Sequence, residues 1–160
     1  IWRPVLPEID AERLPALART IAAEAESGLG AAWQRRLATL LPAETVTDVA
    51  ARLRLANADR QRLAQAVQPL ASGDAAEAWR DGVPAVVDRL LIAGQPAAAA
   101  ALAGWQRPKL PASGKDLIAR GIAPGPEVAR RLAAFERAWV AAGFPADAAA
   151  IGALLDQSAA

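Results

Sequence analysis

Residues 114–144 read GKDLIARGIAPGPEVARRLAAFERAWVAAGF, which spells two helices around one turn. GKDLIARG has the length of a short helix that Gly121 ends, and APGP sets a tight connection, because proline restricts the residue before it and glycine opens the left-handed region. Pro126 then suits a first helical position, where its missing N–H costs nothing and its fixed φ is already helical. Val128, Leu132, Phe135, Trp139 and Val140 follow at spacings of three, four and one, which places them along one side of a helix that stops at Gly143. Glu127 in its first turn suits the helix dipole.

The same punctuation runs upstream. Asp10 is placed to cap a helix reaching about Ser27, with Leu14, Leu17 and Ile21 as its apolar stripe. After the break at SGLG, Trp33, Leu37, Leu40 and Leu41 share one face of a second helix that Pro42 ends. Val46, Val49 and Leu53 form the stripe of a third. Asn57 is a candidate N-cap for a fourth, carrying Leu63, Val67 and Leu70. Trp79 centres one or two helical turns, and two further helices run from Pro84 to Gly94 and from Pro96 to Gly104. ADAAAIGALLDQ, residues 146–157, is a last, weak helix.

Composition agrees with that reading. Hydrophobic residues make up 54% of the 160, yet aromatics only 4%, with alanine abundant and β-branched residues sparse. That favours helix over sheet. The expected class is all-α, a multi-helix array of short helices and helical hairpins. The proline-punctuated, basic loop QRPKLPASG divides a helical body, residues 1–106, from a helical tail, residues 107–160, unless the two form one continuous domain.

Several function classes lose their residues at once. With no Cys and no His there is no disulfide, no thiolate metal site, no cysteine nucleophile and no histidine base. The closest acidic pairs, Glu8 with Asp10 and Glu24 with Glu26, belong to or adjoin a predicted helix and read as solvated helix faces rather than a two-metal site. The glycine pairs follow no strand and make no phosphate loop. No catalytic constellation and no metal site is expected. The most apolar stretch, LLIAGQPAAAAALAGW, is split by Gln95 and Pro96, so no membrane span is expected. No signal peptide opens the chain, which points to the cytoplasm. A chain that begins at Ile1 and lacks Met reads as part of something longer.

What remains is positive charge. Residues 1–50 hold five basic and seven acidic groups, 51–100 six and five, 101–140 seven and three, and 141–160 none and two. The excess gathers around the quoted segment. Arg107, Lys109 and Lys115 lie on or beside the loop, Arg120 closes the short helix, and Arg130 and Arg131 flank the long one. Such a cluster, helped by the free N–H groups of helices starting near Asp116 and Pro126, can hold phosphates. The same residues also read as ordinary solvated arginines. The five tryptophans read as core anchors before stacking platforms.

Gly114, Asp116, Leu117, Gly121, Pro124, Gly125, Pro126, Leu132, Glu136, Trp139 and Phe144 together resemble the C-terminal helical segment of bacterial tRNA nucleotidyltransferases. These are the CCA-adding enzymes of the poly(A) polymerase family. WQRRLATLLP, ARLRLANADRQRL and VVDRLLIAG are similar to the same proteins in the same order, so the resemblance runs from about Trp33 to Phe144. It departs at Ala129, where a glycine is expected. It also lacks the family's catalytic head, with its Gly-Gly loop, Asp-x-Asp metal pair and nucleotide-selecting motif. The resemblance implies a noncatalytic role: gripping tRNA so that its 3′ end reaches a head where Mg²⁺-dependent transfer from CTP and ATP occurs. No cofactor is implied for this chain itself. Lys109, Lys115, Arg120, Arg130 and Arg131 are the candidate RNA contacts, chosen on charge and position. The alternative is a helical protein-interaction or dimerisation module, a homodimer among the options, whose apolar face carries Phe135 and Trp139.

Overall fold

The computed structural model describes residues 5–9 and 11–159, and among them ten α-helices and no strand. The chain is all-α. It divides into two compact units, residues 1–105 and 106–160. Asp10, the expected first cap, lies outside the described residues.

Unit 1 contains seven α-helices: α1 (Leu14–Ser27), α2 (Trp33–Leu40), α3 (Val46–Arg52), α4 (Asn57–Ala66), α5 (Ala75–Asp81), α6 (Val83–Ile92) and α7 (Pro96–Ala103). Short 3-10 turns at Ala11–Arg13 and Ala43–Thr45 lead into α1 and α3. Pro84 and Pro96 sit in the first turns of α6 and α7, where a missing N–H leaves no bond unmade. Gly94, at φ 73°, turns the chain between them. Asn57 does not cap α4: it is the first helical residue, preceded by Ala56 without a side-chain cap. Asp74 does cap α5, its carboxylate accepting the Glu77 N–H in the first turn.

α6 is the axis of the unit, with every residue from Ala85 to Leu91 buried. On one side Val86, Val87, Leu90 and Leu91 meet Ala23 of α1, Ala78 of α5, and Ala99 and Leu102 of α7. A second cluster joins Ala38 and Leu41 to Val46 and Val49 of α3 and Leu63 and Ala66 of α4, with Leu6 and Ile9 packed against it. Burial of this kind is worth about 25 cal/mol per Å² of apolar surface and is the main force holding short helices in place.

The inward face of α1 differs from its apolar stripe, and α2 buries polar residues beside the Leu37 and Leu41 part of its own. α1 buries Thr20, Ala23 and Glu24, while Leu14 and Ile21 stand 50% and 40% exposed. α2 buries Arg35, Ala38 and Thr39, and Trp33 is 47% exposed. Polar partners explain the rotation. The Thr20 and Thr39 hydroxyls share a hydrogen bond of 3.2 Å, Glu24 meets Arg35 and Arg36, and Arg13 donates to the Leu41 carbonyl at 3.0 Å. These bonds dock the two helices polar face to polar face. Glu24 is therefore no solvated residue, and the Leu14–Ile21 stripe does not face the core.

Unit 2 consists of α8 (Gly114–Ile118), α9 (Pro126–Ala141) and α10 (Ala148–Ala159). Phe135 and Trp139 of α9 are buried at 0% and 2% exposure, with Leu117 of α8 and Leu155 of α10. Gly121 and Gly125 adopt φ 92° and 141°, which side chains rarely accept, so the turn between α8 and α9 depends on both. At the far end, the Phe144 N–H bonds the Trp139 carbonyl, and the Phe144 ring meets the indole edge-on at 5.1 Å. The Trp139 Nε1–H donates to the Pro145 carbonyl at 2.8 Å. Both aromatics of α9 are thus consumed inside the unit, which removes them as a partner-binding face.

No helix among the described residues is long and apolar enough to cross a membrane.

Candidate functional site

The five basic residues singled out from the sequence all lie in unit 2, and the structure sorts them into two kinds. Lys109, on the loop, and Lys115, in α8, form no ion pair among the described residues. Arg120, Arg130 and Arg131 are held by acidic neighbours. Arg120 donates from Nε to Asp156 of α10 at 2.8 Å and from Nη1 to the Asp116 carbonyl. Arg131 bonds Glu127 at 2.6 Å and the Ser158 carbonyl at 3.1 Å, and is about one-third exposed. Arg130 pairs with the same Glu127, yet its side chain is 77% exposed.

Pairing of this sort leaves charge available for a ligand. A guanidinium carries five N–H donors, and a surface ion pair is worth at most about 1 kcal/mol, so a phosphate can compete for it. The Arg131 guanidinium beside Glu127 holds that carboxyl below its ordinary range even after desolvation, so Glu127 stays charged at neutral pH and shares one negative charge between two arginines. The start of α8 contributes less than the sequence suggests. The beginning of α8 is closed by a reciprocal cap: Asp116 accepts the Ser113 hydroxyl at 2.7 Å and the Ser113 N–H at 2.8 Å. The Ser113 hydroxyl, with the Ser113 N–H, holds the Asp116 carboxyl low, and a fixed anion there opposes a phosphate.

The most elaborate polar architecture lies in unit 1, where nothing in the sequence beyond the charges themselves announces it. Asp88 is fully buried on α6, and both its oxygens are occupied by guanidiniums. Arg35 reaches Oδ1 from Nε at 2.9 Å and from Nη2 at 2.8 Å. Arg62 of α4 reaches Oδ2 from Nε at 2.8 Å and Oδ1 from Nη2 at 3.0 Å. Glu24 closes the far side, taking Arg35 at 2.8 Å, Arg36 at 2.7 Å and the Ala32 N–H at 3.3 Å. One step along α6, Arg89 turns to another partner set: Glu77 at 2.9 Å and Asp81 at 2.6 Å. Burial pushes the Glu77 carboxyl up, but the N–H groups of Gly73, Ala71 and Ser72, together with Arg89, outweigh it and hold it low.

Beside the Asp88 group lies an open cleft of about 310 Å³, lined by Arg35, Arg62 and Asp88 and by the apolar side chains of Leu29, Val83, Pro84 and Val87. Among the described residues no group of three or more acidic, His or Cys side chains comes together that could hold a metal.

No family model matches the chain, and neither the curated proteins nor the solved structures hold a match to it.

Proposed function

We propose that this chain is the tRNA-binding helical region of a CCA-adding nucleotidyltransferase, holding tRNA for CMP and AMP transfer by a catalytic head that this chain does not contain. The observation that carries the reading is the set of cations around the α8–α9 hairpin, Lys109, Lys115 and Arg130, beside Arg120 and Arg131. A protein that serves all tRNAs reads shape and backbone rather than base sequence, and scattered Lys and Arg side chains on rigid helices suit that task. Mg²⁺, CTP and ATP belong to the implied head.

Binding of a tRNA transcript, followed by fluorescence anisotropy, tests this. Four phosphate contacts make affinity fall on the order of a hundredfold between 50 and 200 mM salt. Affinity that ignores salt, or that a neutral polymer matches, overturns the reading. Incubation with CTP, ATP, Mg²⁺ and trimmed tRNA is expected to give no extension.

A second reading, self-association, is favoured by a different surface from the one the sequence suggested. Phe135 and Trp139 are internal, whereas Leu14, Ile21 and Trp33 stand exposed on the adjacent helices α1 and α2. Light scattering separates the readings: an Ile21→Glu variant that converts a dimer to a monomer, with tRNA affinity absent throughout, selects dimerisation.

A further inference from the structure

We propose that Arg62, in unit 1, binds a phosphate and that the cleft beside it seats one nucleotide unit of an RNA backbone. This rests on the RNA-binding reading above but assigns a contact to the unit for which sequence and charge density suggested none.

The argument begins with how Arg62 is held. It spends Nε and one hydrogen of Nη2 on Asp88, a fully buried carboxylate that cannot move away. A guanidinium has two edges able to grip an oxyanion. Asp88 occupies the edge that includes Nε, and the remaining edge, Nη1 with the second hydrogen of Nη2, has no acceptor among the described residues. The side chain is 35% exposed and lines the cleft. The hydrogen bond to Asp88, opposed by burial, raises the Arg62 pKa above its ordinary value, so its charge is permanent.

Asp88 divides its two oxygens between Arg62 and Arg35. Arg35 spends further donors on Glu24 and the Gly30 carbonyl, and Asp59, whose charge also acts on Arg62, accepts the Gln34 amide at 2.8 Å rather than an Arg62 N–H, which leaves the outer edge of Arg62 with donors to spare. Val83 and Pro84, in the first turn of the ten-residue α6, line the same cleft, so the positive end of that helix adds to the field. Besides Arg35 and the engaged Asp88, the rest of the wall comes from Leu29, Gly30, Val87 and Ala103. A fixed guanidinium edge beside an apolar wall matches a phosphate carrying a ribose and base, and suits bare phosphate less well.

The test measures tRNA affinity and its salt dependence for the wild-type chain, Arg62→Gln, Ala103→Glu and a Lys115→Ala/Arg130→Ala pair. Ala103 lies on the cleft wall outside the ion-pair group, so its substitution reports on the cleft without disturbing Asp88. The expected result is a roughly three- to tenfold loss for Arg62→Gln and for Ala103→Glu, with the salt slope of Arg62→Gln reduced by about 0.7 to 0.9. If Arg62→Gln and Ala103→Glu keep wild-type affinity while the tail pair weakens binding, the cleft is no RNA subsite and the RNA-binding reading survives. If no variant changes affinity, both fall. Inorganic phosphate is the second probe: if it shifts the Arg62 Nε–H resonance at millimolar concentration while Arg62→Gln leaves tRNA affinity intact, the ligand is a free phosphate and the RNA assignment is overturned. A loss in Arg62→Gln alone, accompanied by a lowered melting temperature and no effect of Ala103→Glu, also overturns it.

Discussion

Arg35 carries more of unit 1 than any other single polar side chain. It joins Glu24 on α1 to Asp88 on α6 from its own place on α2, and none of the three side chains is more than 4% exposed. Removing it leaves two buried carboxylates short of a partner, and breaking a buried pair this way costs about 3–5 kcal/mol. Arg35→Met is therefore expected to lose that much in urea unfolding, whereas Arg36→Met, at a side chain 38% exposed, loses less because Glu24 keeps its bond to Arg35. Gly114 is the second decisive residue, for steric reasons. A Cβ there would stand 2.9 Å from the Val128 Cγ1, so α8 approaches α9 only because the side chain is absent. Gly114→Ala is expected to cost about 1–3 kcal/mol, and Val128→Ala in the same chain to recover part of it. Neither role is visible in the letters. Glycine before Lys-Asp-Leu reads equally well as a loop residue, and an arginine in QRR gives no hint of which carboxylates it will meet.

Elements show the same division more clearly. α9 is legible because its apolar residues and its buried residues coincide: Phe135 and Trp139 lie inside, as the spacing requires. α1 and α2 are legible as helices and only in part as faces. Leu14 and Ile21 of the α1 stripe and Trp33 of the α2 stripe turn outward, whereas Leu37 and Leu41 of the α2 stripe pack into the core, and Thr20, Glu24, Arg35 and Thr39 are buried because they find hydrogen-bond partners across the pair. The spacing of apolar residues ranks faces by transfer energy alone and cannot register that a polar side chain will be satisfied by another helix. α8 has five residues, too few to persist without help, and its reciprocal Ser113–Asp116 cap supplies it. Asp116→Ala should lower the urea midpoint of the chain. Amide hydrogen exchange provides the local check: residues 114–118 should lose protection while those in the middle of α9 keep theirs.

For the whole molecule, the acid limb of stability follows from carboxyls in both units. Glu8 is held low by the Arg52 guanidinium, Asp74 by the Glu77 N–H, Asp116 by the Ser113 hydroxyl, and Glu127 by Arg131, and Glu77 also stays low against its own burial. Each binds its proton less tightly in the folded chain than in the unfolded one. Their stabilisation is therefore complete above the ordinary carboxylate range and is lost as pH falls through the lowered values. Urea midpoints should be level from about pH 8 to pH 5 and fall steeply below about pH 4. A Glu77→Gln chain should be less stable at neutral pH and show a shallower acid fall.

That the chain is helical, where most of its helices begin and end, and that Phe135 and Trp139 anchor the long helix of the tail are all written in the order of the residues. Those are local matters, set by proline, glycine and the spacing of apolar side chains within a turn or two. Folding in three dimensions settled the rest: which faces turn inward, that Glu24 and Asp88 are buried between arginines, that three of the five candidate cations are paired, and that Arg62 stands at the edge of a cleft. Apart from the pairing of Arg130 and Arg131 with Glu127, three and four residues away, these join residues distant along the chain, and such a charge declares its partner only when folding brings the two within hydrogen-bond reach.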